Sequence, residues 1–199
     1  MTLPDAPSSP IQIRPLAPER LADFLAFFDG EAFADNPQWA SCYCQCFLVD
    51  HRRVSWKDRT AAQNRADACL KIGAGRMQGC LAYLDGKVVG WCNAGPWSLM
   101  TALHDEPDPD ADTLAEITCF VVAAPYRRRG VATALLAAAC DGLREQGLAV
   151  VEAYARTDEA SAAANHHGPL AMYLAAGFAI HRADPDGSPG VYLRKPLRE

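Results

Sequence analysis

Apolar residues recur along this chain at two periods, and the changes between them mark out its elements. Ile11-Gln12-Ile13-Arg14 alternates in the manner of a strand, and Pro15 stops it. Leu21, Phe24, Leu25 and Phe28 follow at helical spacing, opened by Pro18-Glu19 and closed by Gly30. Residues 31–54 lose both periods and are rich in aromatics, among them Phe33, Trp39, Tyr43 and Phe47. Ser55 with Asp58 has the form of a capping box, which predicts a helix running to about Ile72, before Gly73. Residues 80–84 and 88–93 are β-rich runs separated by Asp85-Gly86-Lys87, a hairpin signal.

Residues 100–112 read as a loop carrying Asp105, Glu106, Asp108, Asp110 and Asp112, and residues 117–122 as a buried strand. A helix is predicted over 130–146, with Val131, Leu135, Leu136, Cys140 and Leu143 on its apolar side and Gly147 at its end. A strand over 148–155, a short helix over 170–176 ended by Gly177, and a hairpin around Asp186-Gly187 complete the chain. The order is β-α-α-β-β-β-α-β-α-β-β, and its strand-helix-strand centre implies an α/β layer fold with a right-handed crossover. With 199 residues and no repeat or long linker, one domain over 11–199 is expected, and residues 1–10, rich in Pro and Ser, read as a flexible leader.

Half of the residues are hydrophobic and 22% are charged, a globular composition. A net charge of -5 gives no footprint for nucleic acid or an anionic membrane. No apolar run reaches the roughly 20 residues of a membrane span, and the first residues lack the form of a signal peptide, so a cytoplasmic location is expected. The eight cysteines should then be reduced thiols. Cys42, Cys44 and Cys46 alternate, which fits zinc spacing poorly, and no second pair accompanies them. No metal is expected, and these thiols read as buried or pocket-lining.

The run Arg127-Arg128-Arg129-Gly130-Val131-Ala132 lies between the 117–122 strand and the 130–146 helix. The first N–H groups of a helix have no internal partners, and with the helix dipole they form an anion site. Gly130 lets the backbone approach an anion closely, the arginines add positive charge, and Thr133 offers a hydroxyl. A solvated basic turn would look the same by mechanism alone. Neither a P-loop nor a G-x-G-x-x-G fingerprint is present.

Arg127-x-x-Gly130-x-Ala132 after a strand resembles the Arg/Gln-x-x-Gly-x-Gly/Ala signature of the GNAT (Gcn5-related N-acetyltransferase) superfamily. Tyr173-x-x-x-Gly177-Phe178 resembles that family's late motif, and the element order is similar from residue 11 onward. The resemblance implies a mixed central sheet of six to seven strands flanked by about four helices. It implies acetyl-CoA as co-substrate, with its pyrophosphate on Arg127, Arg128, Arg129, Gly130, Val131, Ala132 and Thr133, and its pantetheine arm on the backbone of Phe120, Val121 and Val122. Tyr173 matches the tyrosine that protonates the departing thiolate, and Glu116 stands where one branch of the family keeps its general base. Glu152 and His104 are lesser candidates for that base. The family's asparagine seven residues before the tyrosine is here His166, with Asn165 beside it as the substitute cofactor contact.

An acetyl-CoA-dependent N-acetyltransferase acting on a primary amine of a small molecule or peptide is therefore expected, with a homodimer compatible with the family. Its acceptor side would come from residues 31–72 and 93–114, where Trp39, Cys42, Tyr43, Cys44, Phe47 and Trp56 cluster and Asn64-Arg65 could face a carboxylate. The alternative is a non-catalytic module of this fold that binds acyl-CoA as a sensor or interaction partner. Tyr173 with Glu116 favours the enzyme, because a binder needs neither.

Overall fold

The computed structural model describes residues 9–103, 108–158, 161 and 165–198. Its elements follow the expected order: β1 (Gln12–Pro15), α1 (Leu21–Asp29), α2 (Ala61–Gly73), β2 (Gly79–Leu84), β3 (Lys87–Pro96), β4 (Leu114–Val122), α3 (Val131–Glu145), β5 (Val150–Arg156), α4 (Leu170–Ala175), β6 (Ala179–Ala183) and β7 (Gly190–Pro196). The strands form one seven-stranded sheet in the order β1-β2-β3-β4-β5-β7-β6. Only β4 and β5 run parallel, joined by α3. The α/β assignment, the mixed sheet of seven strands and the four helices agree with the sequence reading.

Local chemistry explains two departures in detail. The box that starts α2 is Thr60 with Gln63, each side chain bonded to the other's backbone N–H, whereas Ser55 opens only a short 3-10 turn over Trp56–Asp58. The β4 strand begins at Leu114, before the continuous apolar run, because Glu116 sits within it on the way into a cavity. The β2–β3 hairpin turns through Asp85 (φ 50°) and Gly86 (φ 78°), the two positive angles of a type I′ turn.

Both faces of the sheet are covered, so strand positions of both parities are apolar. On one face Ala82, Cys92, Ile117 and Phe120 pack with Leu135 and Leu136 of α3 and Tyr173 of α4. On the other, Leu81, Tyr83, Trp91 and Val121 pack with Phe24 and Phe28 of α1 and Ile72 of α2. Trp91 is fully buried there, edge-on to Phe24, and its indole N–H donates to Cys44 Sγ at 3.1 Å.

One irregularity positions everything that follows. The β3–β4 register passes from Asn93↔Cys119 to Ala94↔Ile117, so Thr118 is an extra residue, a β-bulge. Asn93 Nδ2 braces it by donating to Thr118 Oγ1 at 2.7 Å. The bulge resets the parity of β4: Ile117 and Phe120 share one face although they are three positions apart. Pairing of β4 with β5 stops at Ile117↔Ala153, and the parallel strands part from there.

Gly79 at the start of β2 holds φ at +150°, and a Cβ there would lie 2.1 Å from the Cys92 carbonyl oxygen and 2.5 Å from the Trp91 ring. Neither backbone nor buried indole can yield. Gly79→Ala should therefore lower the unfolding free energy by about 2–4 kcal/mol, seen as a lower denaturant midpoint with unchanged slope.

Candidate active site

The cleft opened by the bulge exposes alternate backbone groups of β4. Ala123 N–H donates to Val89 O, and the register pairs Val121 with Trp91, so Val121 turns its N–H and C=O to β3. Phe120 and Val122 turn theirs toward the cleft. Val121 is thus corrected as a backbone contact for a cofactor; it contributes its side chain to a cavity wall. Two cleft-facing groups are already engaged: Phe120 N–H donates to His166 O at 2.6 Å, and Val122 O accepts from Arg127 Nε at 2.9 Å. Among the described residues Phe120 C=O and Val122 N–H remain, an acceptor and a donor that an amide-bearing chain laid along the strand can pair with.

Beyond Val122 the chain makes a 3-10 turn over Ala124–Tyr126 and reaches α3. Arg128 (φ 62°) and Gly130 (φ 81°) take left-handed conformations, and Gly130 caps α3 without a side-chain cap bond. The first helical bond is Ala134 N–H to Gly130 O, which leaves the N–H groups of Val131, Ala132 and Thr133 pointing out of the helix start. A Cβ on Gly130 would meet nothing within 4 Å, so glycine answers the positive φ and the empty space outside, not internal crowding. Gly90 sets the height of this end, since a Cβ there would come within 2.9 Å of Val131 Cγ1.

The arginines divide their tasks. The Arg127 guanidinium bonds Val122 O and both oxygens of Asp35 at 2.5 and 2.9 Å, clamping the α1–α2 connection to the end of β4. Asp35 is held below the usual carboxylate range by that bond. Arg128 and Arg129 are exposed beside the helix start.

Two cavities meet at this cleft. The first, about 450 Å³, is lined by Phe120, Val121, Val122 and Arg127 together with Phe33, Trp39, Phe47, Trp56 and the thiols of Cys42, Cys44, Cys46 and Cys119. The second, about 480 Å³, is lined by Glu116, Ile117, Thr118, Tyr154, Arg156, His167, Asp184 and Tyr192. Trp39, Phe47 and His166 belong to both walls. The expected aromatic acceptor region is thereby placed at the cleft, but Asn64 and Arg65 are corrected away from it. Asn64 bonds Ser41 O and Arg59, and Arg65 grips Asp29.

Glu116 is 5% exposed and faces the second cavity. Burial, then the neighbouring Glu152, raise its pKa well above the ordinary carboxylate value. Glu152, its register partner on β5, is corrected as a candidate base: it is committed to Arg194 at 2.7 Å and Arg182 at 3.4 Å. His104 lies outside the described residues. Asn165 lines neither cavity, and His166 takes the wall position instead.

Tyr173, the expected proton donor, sits beneath the cleft floor. It is fully buried, lines neither cavity, and donates its hydroxyl to His167 O at 2.5 Å. Phe120 and Phe178 pack edge-on against its ring, and burial raises its pKa well above the usual phenol range. In this structure the phenol anchors a loop. Sequence reasoning missed the residue so anchored, His167. Its Nδ1 bonds Thr118 O at 2.8 Å, and its ring lies against Tyr154, Phe47 and His166. The only signal available in the sequence was the His166-His167 pair itself.

Comparison with known proteins identifies the family. The model of the acetyltransferase (GNAT) family matches residues 36–178. The chain is 31% identical over 164 residues to a mycothiol acetyltransferase of Sanguibacter keddieii, covering 82% of this chain and 45% of that protein, so it spans about half the length of this curated relative. Its fold is similar to that of the putative acetyltransferase YncA of Salmonella typhimurium, solved with its cofactor acetyl-CoA (TM-score 0.59, 15% identity, 96% of each chain). It is also similar to the PaiA N-acetyltransferase of Thermoplasma acidophilum in complex with coenzyme A (TM-score 0.54, 14% identity, 94% of this chain and 99% of that one). The family match over most of the chain, falling on the bulged strand and the uncapped helix start, shows that this chain belongs to the acetyltransferase (GNAT) family.

Proposed function

We propose that this chain transfers the acetyl group of acetyl-CoA to a primary amine by direct attack. The observation that carries this reading is the parting of β4 from β5 at Thr118, which joins an anion-ready helix start to a buried carboxylate through one cleft. The pyrophosphate would lie on the N–H groups of Val131, Ala132 and Thr133, with Arg128 and Arg129 beside it. The pantetheine amides would pair with Val122 N–H and Phe120 C=O. Two solved structures of this fold described with acetyl-CoA or coenzyme A support the cofactor, and the mycothiol acetyltransferase relative supports acetyl transfer.

Glu116 serves as the base. An alkylammonium must lose a proton before it attacks, and a carboxylate raised by burial is better matched to that task than an ordinary one. The aromatic rings of Trp39, Tyr154 and Tyr192, with Asp184 and Glu116, suit a cationic head group in the second cavity.

Acetyl-CoA at 100 times its dissociation constant should stabilise the fold by about 2.7 kcal/mol, read as a rise in melting temperature. Gly130→Glu, which places bulk and negative charge at the helix start, should abolish that rise while the apo protein still folds. An absent rise in the wild type would sink the cofactor assignment.

Glu116→Gln separates function from stability. Turnover of an accepted amine should fall about 10²–10⁴-fold. The folded state raises the proton affinity of Glu116, so its contribution is full below the ordinary value of 4.5 and is lost as pH rises. The variant should match wild-type melting near pH 4.5 and exceed it increasingly toward neutrality. A wild type that melts higher than the variant at pH 7.5 would contradict this.

A further inference from the structure

Turning an ammonium into an amide removes two protons from nitrogen. Glu116 accounts for the first, and the expected donor for the thiolate, Tyr173, is bonded to a backbone carbonyl and faces neither cavity. We propose that His167 moves the second proton: its Nε2 accepts it from the amine nitrogen as the C–N bond forms, and returns it to the coenzyme A sulfur as the C–S bond breaks. The inference rests on the acetyl-transfer reading above. The balance closes, because the ammonium and the thioester give the amide and the free thiol, and the remaining proton resides on Glu116.

The geometry of the ring carries the assignment. Thr118 O can only accept a hydrogen bond, so Nδ1 is the protonated nitrogen and Nε2 keeps its lone pair. Among the described residues Nε2 has no partner, and the ring lines the cavity that holds Glu116. The anchoring carbonyl belongs to the bulge residue itself, which sets the ring where β4 and β5 part. Phe47 and Tyr154 hold the ring edge-on.

The backbone beneath is equally constrained. His166 O takes Phe120 N–H, and His167 O takes the Tyr173 hydroxyl. Gly168 turns at φ +101°, where a Cβ would come within 3.0–3.2 Å of Met172, Tyr173 and Phe120. Such convergence is what a side chain that handles reacting atoms requires and what an ordinary core histidine does not.

The proton affinities fall in a workable order. Burial, then His166, draw His167 down to about 4, so the imidazole stays neutral and ready to accept. That is too weak to strip an alkylammonium, which leaves the first proton to Glu116. The nitrogen of the tetrahedral adduct is far more acidic, and a thiolate, with an ordinary pKa of about 8.5, is the stronger base that takes the proton back. Glu116, Tyr154, Arg156, His166, Asp184 and Tyr192 are the other titratable or charged groups among the described residues that line this cavity.

The test uses acetyl-CoA with a panel of small primary amines, following free thiol. His167→Ala and His167→Gln should each lose about 10²–10⁴-fold in turnover while keeping the wild-type melting rise with coenzyme A. Added imidazole should restore part of the activity of the Ala variant and none to the Gln variant, whose side chain fills the space. Tyr173→Phe should cost less and show no response to imidazole. Turnover of His167→Ala within about threefold of wild type would overturn the proposal, as would a loss that imidazole leaves untouched or one accompanied by loss of coenzyme A binding. A wild type that turns over no amine yet binds coenzyme A would instead overturn the transfer reading beneath it.

Discussion

The extra residue at Thr118 is the constraint on which the rest of the site depends. A strand that stayed in register would pair with β5 along its whole length and expose no backbone group to a ligand. Inserting one residue costs local pairing and gains three things at once. It parts β4 from β5, turns Phe120 and Val122 toward the gap, and resets side-chain parity so that Glu116 and Cys119 face the α1–α2 side. The cost is contained locally, since Asn93 bonds the Thr118 hydroxyl and His167 bonds its carbonyl. The bulge is thus held from both flanks, and the histidine that holds it looks into the cavity beyond.

Charge is distributed around the cleft so that one carboxylate stays without a cation. Arg194 bonds Glu152, Asp108 and Asp110, and Arg182 adds to Glu152, which offsets the cost of burying Glu152. Across the parallel pair, Glu116 has a negative neighbour and no arginine in bonding reach among the described residues. Two glutamates in adjacent register therefore differ in character because only one of them meets Arg194. Asp108 and Asp110 of the acidic loop thus serve that same network.

The order of elements was legible because both sheet faces are buried and the helices keep a clean 3.6 period, as in α3. The uncapped start of that helix was legible from Gly130 and the arginines before it. What the sequence could not assign was the target of each polar group. The Arg127 side chain reads as free positive charge until Asp35, 92 residues away in sequence, is seen in its fork. Tyr173 shows no partner in its motif, yet its hydroxyl rests on a carbonyl six residues back. Nothing local distinguishes Glu116 from Glu152, since the difference lies in a β7 arginine. Such partners are set by tertiary packing, and period and motif carry no record of them.

The thiols show the same limit from the other side. Cys42, Cys44, Cys46 and Cys119 all reach the first cavity, so their alternation reflects a wall and not a pairing. Burial pushes the Cys42 thiol up to about 12 and the Cys46 thiol to about 11, far from the thiolate character that nucleophiles and redox centres require. Tyr43 and Cys44 adopt consecutive left-handed conformations (φ 45° and 51°), a strain that sets the Tyr43 hydroxyl on Asp29 and the Cys44 sulfur under Trp91. That segment is fixed at its far end by the Arg127–Asp35 clamp. The first cavity's wall therefore carries three thiols, Cys42, Cys44 and Cys46, that resist ionisation.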